Sequence, residues 1–158
     1  MKVPLLVNDF LDRAEATDGS EGDTPLVAVD AALPEGIARP ARVLLKAEYL
    51  NPTGSYKDRI AAVAVALVRE RGLGGLVGTS SGNGGAAIAA YAACAGLPVT
   101  LLVVPGAPAA KLAQLRAYGP RLFELHGLGW DPAGTLAAAA EVVRVAAEKQ
   151  LLPFVTAR

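Results

Sequence analysis

Short apolar runs alternate with longer apolar stretches along the chain, and glycine-rich or polar segments separate them. Residues 42–48 (RVLLKAE) and 99–104 (VTLLVV) are rich in β-branched residues and leucine, which favours strands. Residues 57–71 contain the stretch IAAVAVALV, which is apolar around its whole circumference and is therefore typical of a helix buried on most sides. The pattern predicts strands and helices in alternation.

The remaining segments extend this alternation. Asp131 followed by Pro132 is typical of an N-cap and the first helical position, so a long helix is predicted from there to about residue 150. The full prediction comprises strands at 42–48, 75–79, 99–104 and 121–125, and helices at 57–71, 86–95, 109–118 and 132–150. Strands joined by helices through short loops predict an α/β fold, a parallel sheet between two helical layers.

Composition narrows the function classes. The 158 residues carry 15 basic and 15 acidic side chains, so the formal net charge is zero, which argues against a nucleic-acid or anionic-membrane partner. The single cysteine, Cys94, excludes an internal disulfide, and with His126 as the only histidine no metal site is predicted. A cytoplasmic, reducing location is expected. The uncharged stretch around 86–104 is predicted to be a buried helix and a buried strand, because Gly96 and Pro98 interrupt it, and no membrane span is expected.

Two unusual loops follow predicted strands. Residues 51–57 (NPTGSYK) come after the strand at 42–48, and residues 80–85 (SSGNGG) come after the strand at 75–79. In open parallel sheets, ligands bind outside the carboxyl ends of the strands. If these two strands are neighbours, both loops lie at one crevice.

The SSGNGG loop offers hydroxyls, an amide and three glycines, and it precedes a predicted helix. Glycine lets a backbone approach a ligand closely, and free N–H groups at a helix N-terminus bind anions. The loop is suited to a carboxylate or a phosphate. By itself, however, it is equally consistent with a simple turn, and it lacks the Gly-Lys-Ser/Thr of a nucleotide-binding P-loop.

Lys57 stands at the predicted start of the helix at 57–71. A cation there is repelled by the positive end of the helix dipole, so a lysine with a purely structural role would destabilise the helix. A free lysine has a pKa near 10.4, and burial and a positive helix end lower the pKa of an amine and make it a better nucleophile. Such a lysine is suited to form an imine with an aldehyde, and pyridoxal phosphate is the commonest cofactor of that kind.

Four segments together resemble one enzyme family. They are EGDTPLV (21–27), KAEYLNPTGSYKDR (46–59), SSGNGGAAIAAYAACAGLPVTLLVVP (80–105) and KLAQLRAYG (111–119). In this order and spacing they resemble the β-family, or fold type II, of pyridoxal-phosphate enzymes (tryptophan synthase β-like), and within it most closely the threonine synthases. The resemblance implies the small αβα domain of such an enzyme with an N-terminal extension, and pyridoxal 5′-phosphate as cofactor.

The resemblance also implies roles for individual residues. Lys57 would be the lysine that binds the cofactor aldehyde and then moves protons as a general base and acid. Asn83 would hydrogen-bond the phenolic oxygen of the pyridoxal ring. The side chains and N–H groups of Ser80, Ser81 and Gly82 would hold the carboxylate of an amino-acid substrate. Two further polar candidates for substrate binding are Thr53 and Ser55.

In a threonine synthase the reaction converts O-phosphohomoserine and water to threonine and phosphate. Three alternatives stay open: another lyase of the β-family, such as a threonine or serine dehydratase or a cysteine synthase; a non-catalytic fragment; and a simple anion-binding α/β domain. A small amino-acid substrate is the expected partner, and a homodimer is expected for the complete enzyme.

The resemblance covers only the N-terminal half of such an enzyme. It implies a division into an N-terminal segment (1–41) that belongs with the large domain, a parallel α/β domain (42–150), and the truncated start of a further element (151–158). The second half of the family carries the contacts to the cofactor phosphate and to the pyridine nitrogen. We therefore expect catalysis to need that half, in cis or in trans.

Overall fold

The computed structural model describes residues 22–30 and 42–155. In this part of the chain the strands are β1 (Leu26–Asp30), β2 (Arg42–Lys46), β3 (Leu76–Thr79), β4 (Val99–Val103), β5 (Arg121–Glu124) and β6 (Leu152–Val155). The helices are α1 (Lys57–Glu70), α2 (Asn83–Cys94), α3 (Ala109–Ala117) and α4 (Pro132–Lys149), and a single 3₁₀ turn covers Glu48–Leu50. The helices predicted at 57–71, 109–118 and 132–150 are confirmed to within one residue at each end.

A four-stranded parallel sheet, ordered β5-β4-β3-β6, forms the centre of the fold. Successive residues of β3 face opposite sides: Leu76 belongs to a core built with α1, α2 and α3, and Val77 packs with Val142 and Ala146 of α4. The sheet is therefore covered by helices on both faces, and the predicted α/β class with its three layers is confirmed. None of the helices in the described ranges is long and apolar enough to cross a membrane.

The strand predicted at 42–48 does not lie in the parallel sheet. Residues 42–46 form β2, which pairs antiparallel with β1 in a separate two-stranded sheet. The expectation that this strand is a neighbour of the strand at 75–79 is wrong. An apolar run does not specify which strand it pairs with. The partner strand, β1, directly follows the Gly-Asp-Thr-Pro segment, which was used only as part of a family motif.

The segment at the C-terminal end of the described chain adds a strand to the sheet. Leu152–Val155 forms β6 and pairs in parallel with β3. This explains the apolar character of LLPFV, because Phe154 is buried against the core shared by α1 and α2. The division of the chain into segments 1–41, 42–150 and 151–158 stays a prediction.

Helix α2 begins at Asn83, three residues before the predicted start at 86. The two glycines that follow Asn83 lie inside its first turn and are buried. A Cβ atom at Gly85 would lie 2.4 Å from the Ser80 carbonyl oxygen, so this helix can leave the loop tightly only because residue 85 has no side chain.

Candidate active site

Helix α3 joins the two loops. On its first turns, the Lys111 ammonium lies 2.5 Å from the Asn83 side-chain oxygen, and the Gln114 amide donates to the Thr53 carbonyl oxygen over 3.4 Å. Helices α1 and α2, which begin directly after the two loops, pack against each other. Helix α3 therefore contacts both loops, and the helices that follow them are packed together, whereas the strands that precede them are not neighbours.

Lys57 is the first residue of α1, and its side chain is half-buried. Its backbone N–H donates to the Ser55 hydroxyl oxygen over 3.3 Å, and its ammonium lies 4.5 Å from the centroid of the Tyr56 ring. Tyr56 itself is 57% exposed. Among the described residues the structure gives the Lys57 ammonium no carboxylate partner, so it is available to a ligand.

The residue after Lys57 fixes the preceding loop. Asp58 is completely buried, and its carboxylate accepts hydrogen bonds from the Thr53 backbone N–H (2.7 Å) and from the Thr53 hydroxyl. Burial raises the pKa of Asp58, and the hydrogen bonds from Thr53 oppose that rise. This contact uses the hydroxyl hydrogen of Thr53, which leaves only its oxygen lone pairs for a ligand.

The next residue, Arg59, connects α1 to the segments that contain Glu48 and Gly22. Its guanidinium forms a two-point ion pair with Glu48 (2.6 and 3.1 Å) and also donates to the Gly22 carbonyl oxygen. Glu48 accepts further hydrogen bonds from Thr24 (3.0 Å) and Asn51 (2.8 Å). These donors, with the Arg59 hydrogen bond contributing most, lower the pKa of Glu48 to about 2. Asp58 and Arg59 therefore hold the start of α1 to different segments and do not form an ion pair with each other.

The two serine hydroxyls of the SSGN loop accept hydrogen bonds from backbone N–H groups. The Ser80 hydroxyl oxygen accepts from the Gly85 N–H, and the Ser81 hydroxyl oxygen accepts from the Val104 N–H, both over 2.8 Å. Since each hydroxyl acts as an acceptor in these contacts, each keeps its hydrogen to donate elsewhere. Gly82 occupies the N-cap position of α2 and offers no side chain to cap the helix, and the Ser80 hydroxyl takes up the N–H group of Gly85 in its first turn.

The donors at this site suit pyridoxal phosphate. A Cβ atom at Gly82 would meet no heavy atom within 4 Å, so the space in front of the loop is open. The donors of the two loops are an ammonium, hydroxyl hydrogens, an amide and helix N–H groups, and these match an anionic cofactor and an amino-acid carboxylate. In the described ranges, no three His, Cys, Asp or Glu side chains cluster in a way that could hold a metal ion.

Two residues at the site were missed from the sequence. Neither Lys111 nor Gln114 is among the predicted site residues, yet both contact the loops. Their spacing of three residues places them on one helical face, which is the signal that was available. The sequence did not indicate that this face turns toward the loops.

Comparison with known proteins points to the same cofactor. The profile of the family described as "Pyridoxal-phosphate dependent enzyme" matches residues 17–154. Threonine synthase of Synechocystis sp. is 39% identical over 108 residues, which cover 68% of this chain and 28% of that protein. Threonine synthase of Halalkalibacterium halodurans is 37% identical over 137 residues, covering 85% of this chain and 36% of that protein. The chain thus spans about a third of the length of these relatives.

Solved structures give the same fold. Cysteine synthase from Entamoeba histolytica superposes with a TM-score of 0.67 at 28% identity, over 85% of this chain and 40% of that one. A crystal structure of O-ureido-L-serine synthase superposes with a TM-score of 0.65 at 29% identity, over 84% of this chain and 41% of that one. With the profile match over most of its length, the chain belongs to the family of pyridoxal-phosphate-dependent enzymes.

Proposed function

We propose that the chain is part of a lyase of the threonine-synthase type, which converts O-phosphohomoserine and water to threonine and phosphate. The observation that supports the proposal is the half-buried Lys57 at the start of α1, together with the contacts that α3 makes to both loops through Lys111 and Gln114. The threonine synthases of Synechocystis sp. and H. halodurans, at 39% and 37% identity, support the choice of substrate.

In this proposal each polar residue has one task. The cofactor, when bound, withdraws electrons from the substrate carbon atoms that react. Lys57 binds its aldehyde and then takes up and returns protons at Nζ. The hydroxyl hydrogens of Ser80 and Ser81, with the backbone N–H groups after Gly82, hold the substrate carboxylate. Asn83 donates from its amide to the phenolic oxygen of the cofactor ring.

Thr53 and Ser55 form the other wall of the site. Ser55 is buried and Thr53 is half-buried, and each already takes part in a contact within the loop. We propose that they limit the size of the substrate, and that any direct contact from Thr53 uses its oxygen as an acceptor.

Because the chain spans about a third of the length of its curated relatives, we propose that turnover requires further chain segments, in cis or in trans. Those segments would supply the contacts to the cofactor phosphate and to the pyridine nitrogen. A homodimer of the complete enzyme, a cytoplasmic location, and the division at residues 41 and 150 belong to the same proposal.

A second candidate function is a cysteine-synthase-type or dehydratase reaction. The superposition on cysteine synthase from E. histolytica, with a TM-score of 0.67, favours it. Those enzymes differ from the first candidate in the group that leaves and in the product, so the products of the reaction distinguish the two.

The cofactor site is tested by reductive labelling. The purified chain is mixed with pyridoxal phosphate and reduced with borohydride, and the adduct is located by peptide mass. We expect stoichiometric label on Lys57 and its loss in Lys57→Ala. Lys149→Ala, which removes an exposed lysine at the end of α4, is the matched control and retains the label. Label scattered over many lysines would contradict the proposed role of Lys57.

The substrate is tested on the chain mixed with pyridoxal phosphate before reduction, because borohydride blocks Lys57 irreversibly. O-phosphohomoserine, O-acetylserine and threonine are offered separately, and phosphate, acetate and ammonia are measured. We expect O-phosphohomoserine to protect Lys57 from labelling and to release phosphate when the remaining segments are supplied. Release of acetate from O-acetylserine, or of ammonia from threonine, without phosphate release would favour the second candidate.

A further inference from the structure

The contact between Lys111 and Asn83 has a defined chemical direction. The Lys111 ammonium lies 2.5 Å from Oδ1 of Asn83, the first residue of α2. A lysine ammonium has only donors, whereas a carboxamide has an acceptor oxygen at one end and a donor NH₂ at the other. Lys111 therefore selects one of the two amide orientations and turns Nδ2 away from α3.

We propose that Lys111 is a positioning residue that orients the Asn83 amide so that its NH₂ faces the cofactor ring. The inference rests on the proposed function, in which Asn83 serves the phenolic oxygen. That oxygen carries negative charge when the ring is ionised, so it needs a donor, and the opposite amide orientation would present it with another oxygen. Lys111 thereby acts on the cofactor through Asn83.

Helix α3, which carries Lys111, is held in place by its packing against the core. Leu112 and Leu115 are buried in the core that α3 shares with α1 and α2. The Lys111 backbone N–H donates to the Pro108 carbonyl oxygen over 2.9 Å. Three residues further on, Gln114 holds the Thr53 carbonyl oxygen, so the same helical face reaches both loops. The backbone that carries Lys111 is thus held by packed elements, and the contact between the Lys111 ammonium and Asn83 lies at the solvent-exposed surface.

Three variants separate orientation from charge and bulk. Lys111→Met keeps most of the aliphatic stem and removes the donors. Lys111→Arg keeps a donor and a positive charge. Lys149→Met makes the same chemical change at the exposed end of α4 and is the matched control.

The first measurement needs no cofactor. The side-chain amide of Asn83 is assigned in a ¹⁵N–¹H spectrum by its disappearance in Asn83→Asp. We expect its NH₂ resonances to shift and broaden in Lys111→Met, and to stay near their original positions in Lys111→Arg and Lys149→Met. An unchanged Asn83 amide in Lys111→Met would overturn the proposal, whatever the cofactor does.

The second measurement is the affinity for pyridoxal phosphate, read from its visible absorption band. We expect about tenfold weaker binding in Lys111→Met, and no further loss when Lys111→Met is added to Asn83→Ala. Equal losses in both backgrounds would mean that Lys111 acts independently of Asn83 and would overturn the positioning role. If the unmodified chain forms no adduct at Lys57 even when the remaining segments are supplied, the proposed function fails and the cofactor part of this proposal fails with it. The amide spectrum still decides whether Lys111 orients Asn83.

Discussion

The Asp58 carboxylate accepts hydrogen bonds from both the backbone N–H and the hydroxyl of Thr53, five residues earlier in the chain. Asp58 directly follows Lys57, and Thr53 lies in the loop that precedes it. The pair closes the NPTGS segment into a tight turn at the start of α1. The completely buried carboxylate is therefore part of the framework that holds Lys57 at the site.

Asp58→Ala is expected to lower the free energy of unfolding by roughly 2–4 kcal/mol, because two donors of Thr53 lose their buried acceptor. Asp58→Asn keeps one acceptor and is expected to cost less. Urea denaturation of the two variants and of Thr53→Val measures the effect. Losses that are strictly additive in the Thr53→Val, Asp58→Ala double variant would contradict a direct coupling between the two residues.

The raised pKa of Asp58 adds a pH dependence to this prediction. Since burial raises its pKa above the ordinary 3.8, the contribution of Asp58 to stability is complete below that pH and declines as the pH rises through the folded-state pKa. The chain should therefore lose stability, relative to Asp58→Asn, as the pH increases from about 4 toward neutrality. A constant difference between the two proteins over this range would show that Asp58 does not titrate in it.

Glu48 has the opposite pH dependence. Its pKa is lowered from the ordinary 4.5 to about 2 by Arg59, Asn51 and Thr24, so its contribution is complete above pH 4.5 and is lost as the pH falls toward 2. Glu48→Gln should remove this acid-dependent loss, and thermal unfolding between pH 2 and pH 5 measures it. Glu70→Gln, at the exposed end of α1, is the matched control. An equally steep acid dependence in Glu48→Gln would refute the assignment.

Gly85→Ala is expected to destabilise the protein by about 1–3 kcal/mol, although alanine ordinarily favours a helix over glycine. The added Cβ atom would lie 2.4 Å from the Ser80 carbonyl oxygen and would push the SSGN loop away from α2. Gly82→Ala has free space around its Cβ atom and should cost less than about 1 kcal/mol. Chemical denaturation compares them, and equal stability of the two variants would contradict the steric argument.

Gly78→Ala tests the place of β6 in the sheet. A Cβ atom at Gly78 would lie 1.9 Å from the Phe154 carbonyl oxygen, so β3 and β6 would have to separate. We expect a loss of about 1–3 kcal/mol together with faster hydrogen exchange of the β6 amides. At Gly74 the nearest atoms are at ordinary contact distance, so Gly74→Ala should change stability by less than about 0.5 kcal/mol. Protected β6 amides in Gly78→Ala would be evidence against this pairing.

Much of the fold followed from local signals. The long apolar stretch in α1 and the Asp131-Pro132 start of α4 predicted those helices correctly, and the Asp131 carboxylate does cap the N–H groups of Ala133 and Gly134. Hydrophobic pattern and N-capping act within a few residues, so a sequence reveals them directly. The pairing of β1 with β2 and the place of β6 beside β3 depend on contacts between distant segments.

The sequence by itself determined the α/β class, because hydrophobic pattern and spacing specify it. It also predicted the two loops and Lys57 as the site, from residue types and their order, and that assignment stays a prediction. Only the tertiary structure revealed that α3 connects the loops through Lys111 and Gln114, and that Asp58 and Arg59 anchor α1 to different segments. The physical reason is that a polar side chain on a helix surface has many possible partners. The packing of buried residues such as Leu115 sets which one it meets.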